Sequence, residues 1–162
     1  GGAVVRHMAE LTTKIQPGEL KKPGYCMIRS MPCRITEIEH VRPATSNGNK
    51  RMRIAGLHVF TGKKYEDTLN LTAGFHGIEV PVTTKAAFAL LDVDTDSGFL
   101  SLLTPNGDTK EDVALCRAEE GGWDEVGIEL CKRFDDGEAL KVTVLTIMEK
   151  DIVVEISKDT DA

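Results

Sequence analysis

The stretch Cys33–His40, which reads CRITEIEH, decides the fold class of this chain. Successive residues fall on opposite faces: Cys33, Ile35 and Glu37 on one, and Arg34, Thr36 and Ile38 on the other. A period of two residues, in a run rich in β-formers, is typical of a β-strand. The stretch therefore predicts a strand and an all-β class.

A second strand pattern follows after a short gap. Arg51–Phe60 reads RMRIAGLHVF, with apolar side chains at alternate positions and Gly56 in the middle, where a bulge is expected. The intervening Val41–Asn49 carries proline, glycine and asparagines and is predicted to be a loop. We therefore predict a long hairpin with an exposed tip.

Weaker patterns extend outward from this hairpin. On its N-terminal side, Gly24–Ile28 predicts a short strand and 29–32 a turn. On its C-terminal side, 61–64 predicts a tight turn, and Tyr65–Asn70 has little pattern.

The second half of the chain predicts five strands and one helix. The strands are expected at 88–92, 98–103, 110–115, 141–148 and 151–156. The helix is expected at Trp123–Phe134, with acids in its first turn, bases in its last and Gly137 at its end. Five strands with a helix before the last pair are compatible with a Greek-key barrel such as the OB-fold.

Charge divides the chain into two halves at Val80-Pro81-Val82. Residues 1–82 hold 12 Lys and Arg against 7 Asp and Glu, a net charge of +5, whereas residues 83–162 hold 8 against 19, a net charge of −11. We expect a flexible leader over 1–17, a basic domain over 18–82 and an acidic domain over 83–158. The basic half is the candidate for a polyanion such as RNA.

Neither a membrane segment nor enzyme chemistry is predicted. The first residues lack the apolar core of a signal peptide, so a cytoplasmic protein with no membrane partner is expected. No nucleotide-binding, metalloprotease or hydrolase motif is present, the histidines are scattered, and we predict no catalytic residue, metal or cofactor. Cys26 and Cys33 are expected to be free thiols that face the core from neighbouring strands.

The candidate binding residues are the polar and basic residues of the hairpin and of the turn after it. They are Arg42, Ser46, Asn47, Gly48, Asn49, Lys50, Arg51 and Arg53 on the hairpin, with Lys63 and Lys64 on the turn. Cations on an exposed hairpin can follow the phosphates of an RNA groove. The alternative is an ordinary sheet edge protected by basic side chains.

Several motifs resemble one family. FTGKKYED at 60–67 resembles the turn after the modification hairpin of the eukaryotic translation initiation factor 5A family. Pro32–Ile35, Val80-Pro81, GFLSLL at 98–103 and Gly137–Met148 resemble further parts of it, in the same order. The resemblance spans about residues 18–156. It implies an N-terminal SH3-like barrel followed by a C-terminal OB-fold barrel with one inserted helix.

The resemblance also implies a function on the ribosome. Family members bind ribosomal RNA near the P-site tRNA and relieve stalled peptide-bond formation. Separate enzymes, beginning with deoxyhypusine synthase, convert one lysine at the hairpin tip to hypusine. In this chain the modified position falls on Thr45 when counted from Pro32 and on Ser46 when counted back from Phe60.

Lys50 takes the modified position only if Thr45-Ser46 is aligned with the family's Thr-Ser pair, so Lys50 is the hypusine candidate. The departure at the tip leaves a second function open. A paralogue without hypusine could keep the fold and self-assemble, and a homodimer is a partner to be tested for.

Overall fold

Eleven β-strands and one α-helix form the described part of this computed structural model, which comprises residues 11–45 and 48–162. The strands are β1 Thr12–Ile15, β2 Tyr25–Ile28, β3 Met31–Val41, β4 Arg51–His58, β5 Lys64–Asn70, β6 Ile78–Pro81, β7 Thr83–Val93, β8 Phe99–Leu103, β9 Thr109–Ala114, β10 Leu140–Ile147 and β11 Lys150–Lys158. The helix α1 is Glu125–Asp135. The described residues separate into two compact units, one ending at Val82 and the other beginning at Thr83.

The first unit is built on an antiparallel sheet in the order β2-β3-β4-β5, with β1 and β6 paired beside it. Its core is aliphatic and sulfur-containing, and its most buried members are Cys26, Ile28, Cys33, Ile35, Met52 and Ile54. Strands β1, β5 and β6 were not predicted as strands, and β1 lies within the stretch predicted to be a flexible leader. β1 and β6 are only four residues long, and in β5 charged residues interrupt the apolar pattern. Their strand structure depends on pairing with other parts of the chain, which local sequence does not reveal.

A bulge at Thr36 interrupts the predicted alternation of β3. Ile35 pairs with Gly56, but Glu37 already pairs with Ala55, so Thr36 is the extra residue. Beyond the bulge the faces exchange: Glu37 is exposed and Ile38 packs against the core. The predicted facing of Glu37 and Ile38 was therefore wrong, because a bulge shifts every later side chain.

Gly56 lies opposite this bulge and allows a close approach of the two strands. A β-carbon at Gly56 would lie 2.6 Å from the carbonyl oxygen of Arg34 and 3.1 Å from the side chains of Cys33 and Ile28. The irregularity predicted from Gly56 is therefore present, but its extra residue belongs to the facing strand.

The turn between β2 and β3 is shorter than expected. Only Arg29 and Ser30 lie between the strands, with φ angles of 50° and 66°. Left-handed backbone at both central residues is the geometry of a type I′ hairpin, which suits the twist of the strands. Met31 and Pro32, predicted to be part of the turn, belong to β3.

The second unit is a five-stranded sheet in the order β11-β10-β7-β8-β9. The long strand β7 pairs with β10 through its first part and with β8 through its last part, where Leu91 is an extra residue. Lys110 on β9 lies 3.3 Å from Asp151 on β11, so an ion pair joins the two outer strands. Strand order, a partly closed sheet and a helix between β9 and β10 are the features of an OB-fold.

Helix α1 begins two residues later than predicted because Asp124 is its N-cap. The Asp124 carboxylate accepts a hydrogen bond from the backbone N–H of Gly127 at 2.8 Å. At the other end Gly137 has a φ of 82°, and its N–H donates to the carbonyl of Phe134 at 3.0 Å. Within the described residues, α1 is too short to cross a bilayer, and no other helix is a candidate.

Candidate nucleic-acid interface

The end of the β3–β4 hairpin is a nine-residue segment between the last paired residues, Val41 and Arg51. The N–H of Gly48 donates to the carbonyl of Thr45 at 3.1 Å. The carbonyl of Lys50 accepts from the N–H of Leu71 at 2.8 Å, so the backbone of Lys50 continues the pairing of β4 with β5. The predicted contacts Ser46 and Asn47 lie outside the described residues.

Three cations are exposed at this end of the hairpin. Arg42, Lys50 and Arg51 are all exposed, together with Gly48 and Asn49. Among the described residues, the side chains of these three cations form no ion pair, hydrogen bond or ring contact. A charge without a protein partner is available to a phosphate, and three of them close together favour a polyanion.

Arg53, two residues further along β4, is in a different environment. Its Nε lies 3.0 Å from Glu39, and its terminal nitrogens lie 3.2 Å from Glu37 and 3.5 Å from Glu66. These hydrogen bonds, that to Glu39 foremost, raise the pKa of the guanidinium above its ordinary value. The contacts join β3, β4 and β5 on one face of the sheet.

Lys64 adds a second cation to this group, at 3.1 Å from Glu66. We name Arg53, Lys64, Glu37, Glu39 and Glu66 the carboxylate collar. Two cations and three carboxylates give the collar a net charge of −1. Arg53 and Lys64 remain predictions as RNA ligands, but the collar favours a structural role for both.

The predicted basic set therefore occupies two separate places. Lys64 pairs with Leu57 near the far end of β4, six residues from Arg51, which corresponds to roughly 20 Å along a strand. Lys63 lies in the turn between β4 and β5, directly before Lys64, and its ammonium is 5.4 Å from the centre of the Tyr65 ring. The structure thus brings together Arg42, Lys50 and Arg51, and it leaves Lys63 and Lys64 apart from them.

The glutamates of the carboxylate collar were absent from the sequence prediction. Glu37 and Glu39 stand two apart on β3, and only the register places them beside Arg53 on β4. The bulge at Thr36 changes that register, so no spacing in the sequence could have revealed the contact.

The thiols of the first unit lie in its core. Cys26 and Cys33 are register partners on β2 and β3, and both are fully buried and free. Burial raises the pKa of Cys26 to about 12, and the neighbouring Cys33 adds to the shift. The prediction of buried free thiols is confirmed. No group of histidine, cysteine and acidic side chains suitable for a metal occurs within 11–45 and 48–162.

Two protein-family models match the chain. One, described as "Translation initiation factor 5A-like, N-terminal", matches residues 11–73. The other, described as "Eukaryotic elongation factor 5A hypusine, DNA-binding OB fold", matches residues 82–157.

Full-length relatives and a solved structure agree with these models. Eukaryotic translation initiation factor 5A-1 of Saccharomyces cerevisiae is 36% identical over 143 residues, covering 88% of this chain and 83% of that protein. Eukaryotic translation initiation factor 5A of Drosophila melanogaster is 33% identical over 152 residues, covering 94% of this chain and 89% of that protein. A structure described as a translation initiation factor eIF-5A family protein from Naegleria fowleri has a TM-score of 0.68 at 29% identity, covering 91% of this chain and 99% of that one. The predicted SH3-like barrel followed by an OB-fold is confirmed.

Proposed function

This chain belongs to the family of eukaryotic translation initiation factor 5A, and we propose that it binds the cytoplasmic ribosome and promotes peptide-bond formation beside the P-site tRNA. Membership makes it a translation factor; the ribosomal contact and its mechanism are the proposal. The contact is made by the end of the β3–β4 hairpin.

The cluster of Arg42, Lys50 and Arg51 is the observation that carries this proposal. These three side chains are exposed and, in the described part of the chain, without a protein partner, whereas Arg53 is already bound by carboxylates. Ribosomal RNA and the P-site tRNA present phosphates at close spacing, and each contact with a cation releases a counterion. The hairpin end is therefore suited to RNA, and the carboxylate collar behind it is not.

Lys50 is the lysine that deoxyhypusine synthase would modify in this loop, because no other lysine occurs between residues 42 and 50. Its carbonyl accepts a hydrogen bond from the backbone N–H of Leu71, just before β4 begins. We propose that Lys50 acts as a cation in either form, and that hypusine at this position extends its reach. Mass spectrometry of the hairpin peptide from the native host tests the modification.

Ribosome co-sedimentation across a series of salt concentrations tests the binding proposal. The triple variant Arg42→Ala, Lys50→Ala, Arg51→Ala should bind at least about tenfold more weakly, and its salt dependence should be flatter by about the number of lost phosphate contacts. A matched control is Lys21→Ala with Lys22→Ala, two exposed cations of the same unit outside the hairpin. A loss in the control of about two thirds of the loss in free energy of the triple variant would mean that total charge matters and the hairpin does not, since the control removes two charges and the triple variant three.

Peptide-bond formation is tested with ribosomes that carry peptidyl-tRNA and are challenged with puromycin. The wild-type chain should accelerate peptide release, the triple variant should not, and the Lys21/Lys22 control should. Binding without acceleration would refute the mechanistic half of the proposal alone.

The alternative is that the chain is a self-assembling paralogue of the family. Sedimentation of the pure protein distinguishes this alternative from the ribosomal function. Large homo-assemblies or a stable homodimer, together with no ribosome binding, would support that function and overturn ours.

A further inference from the structure

Two large apolar side chains are exposed on the outer face of the second unit. Phe99 on β8 is 50% exposed, and Leu91 on β7 is 46% exposed. Phe99 stands next to the buried Leu100, so its side chain points away from the barrel core. Leu91 is the bulge residue whose neighbour Asp92 pairs with Ser101, two positions from Phe99. Both side chains therefore lie on the outer face of the β7–β8 pair.

The charges around this face are almost all negative. Residues 86–114 contain six Asp and Glu and a single lysine, Lys110. Asp92 pairs with Ser101, and the N–H of Asp94 donates to the carbonyl of Phe99 at 2.9 Å, so both acids flank the apolar pair. Backbone N–H groups of Ser97 and Asp96 donate to the Asp94 carboxylate and hold its pKa below the ordinary value, which keeps it charged.

The nearby cations are already engaged. Lys110 lies 2.8 Å from Asp112 and 3.3 Å from Asp151. The guanidinium of Arg117 lies 4.3 Å from the centre of the Trp123 ring. Lys110 is neutralised by its two carboxylates, whereas the exposed Arg117 keeps its positive charge while it stacks on the Trp123 ring.

We propose that this outer face of β7 and β8 binds a cationic protein segment through one apolar side chain seated between Phe99 and Leu91. An exposed aromatic on this part of an OB-fold commonly stacks a nucleic-acid base, but such sites also carry a basic groove for the phosphates. Here the carboxylates around the apolar pair give the surface the opposite sign, so a polyanion is repelled and lysines or arginines are attracted. The face is independent of the hairpin used in the proposed function.

The test is an NMR titration of the full chain, labelled with nitrogen-15. The ligand is a short synthetic peptide with lysines on both sides of one phenylalanine. Titration should shift the amide signals of Leu91, Phe99 and Ser101 and leave that of Arg51 in place. Phe99→Ser should weaken binding roughly tenfold, as for a central apolar anchor. Ile128→Ser is the matched control, since Ile128 on α1 is 61% exposed and lies off this face.

Two further experiments separate the contribution of the carboxylates to binding from that of the apolar side chain. Asp92→Asn with Asp94→Asn should weaken binding and flatten its salt dependence, because the attraction is screened by salt. The same peptide with alanine in place of phenylalanine should bind more weakly than the original.

The proposal is overturned if the peptide shifts none of these signals in the wild-type chain. It is also overturned if an oligouridine shifts the Phe99 signal, which would make the face a nucleic-acid site. Neither outcome bears on the ribosome experiment, whose variants lie in the first unit.

Discussion

The guanidinium Nε of Arg53 on β4 lies 3.0 Å from the carboxylate of Glu39, its register partner on β3. The same side chain reaches Glu37 and, on the other flank, Glu66 on β5. One cation thus ties together three strands at the stem of the hairpin. Removal of that cation leaves Glu37 and Glu39 without their partner, while Glu66 keeps Lys64 at 3.1 Å.

We predict that Arg53→Gln lowers the melting temperature by a few degrees, because the glutamates of the collar lose the cation that they share and their negative charges repel one another. The loss should be greater at low salt than at high salt, since exposed charges are screened. Thermal unfolding monitored by circular dichroism at two salt concentrations measures both effects.

Arg51→Gln is the control for this variant. Arg51 stands two residues from Arg53 on the same face of β4, but its side chain has no partner among the described residues. Its replacement should leave the melting temperature unchanged, and an equal loss in both variants would contradict the role assigned to the carboxylate collar.

Gly56→Ala should destabilise the chain by about 2–3 kcal/mol, because the added methyl group meets backbone as well as side chains. The nearest atom, the carbonyl oxygen of Arg34 at 2.6 Å, cannot move without opening the β3–β4 pairing. Urea denaturation measures the change. Gly18→Ala is the control, since nothing lies within 4 Å of a β-carbon there, and stability should stay within error.

Alkaline pH should destabilise the fold through its buried thiols. Burial raises the pKa of Cys26 from 9.0 to about 12 and that of Cys116 from 9.0 to about 11. The folded state therefore retains protons that the unfolded chain releases. The stability contributed by these thiols is fully present below pH 9 and is lost as pH rises through their folded pKa values.

Urea denaturation at about pH 8 and about pH 10.5 should differ by roughly 1–2 kcal/mol on account of Cys26. Cys26→Ala should reduce this pH dependence, whatever it does to stability at neutral pH. An unchanged pH dependence in that variant would assign the effect to other groups.

Two substitutions of Asp124, the N-cap of α1, distinguish the contribution of its hydrogen bond to stability from that of its charge. Asp124→Ala removes the acceptor for the N–H of Gly127 and should cost about 1 kcal/mol. Asp124→Asn keeps an acceptor oxygen. Because burial raises the pKa of Asp124, the ionised form is disfavoured in the fold at neutral pH, and the asparagine variant should be at least as stable as wild type there.

This advantage of Asp124→Asn should vanish when the pH falls below the ordinary aspartate value of 3.8, since Asp124 is then protonated in both states. Urea denaturation at neutral and acidic pH tests the prediction. A loss in Asp124→Asn as large as that in Asp124→Ala would show that the charge itself stabilises the helix.

Regular alternation and helix-end signals made most of the fold predictable. Cys33–Ile35, the apolar positions of β4 and the glycine end of α1 are local features, and each was correctly assigned from its own neighbours. Strand β5 was missed because Glu66 and Asp67 occupy positions that only pairing with β4 makes strand-like.

The candidate site was harder to predict because charge in the sequence does not reveal pairing. Arg51 and Arg53 look equivalent in RMRIAG, yet one is exposed without a partner among the described residues and the other is bound by three glutamates. The difference arises from the register of β3 against β4, which the bulge at Thr36 alters.

The carboxylate collar has a consequence for the proposed contact with RNA, because it lies close behind the cationic end of the hairpin. From the Val41–Arg51 pair to the Glu39–Arg53 pair is two residues, or about 7 Å along the strands. Over that distance the local charge changes from cationic to net negative. In the proposed function, RNA phosphates would attract the end of the hairpin and repel the collar, so the collar would limit how deeply the hairpin enters.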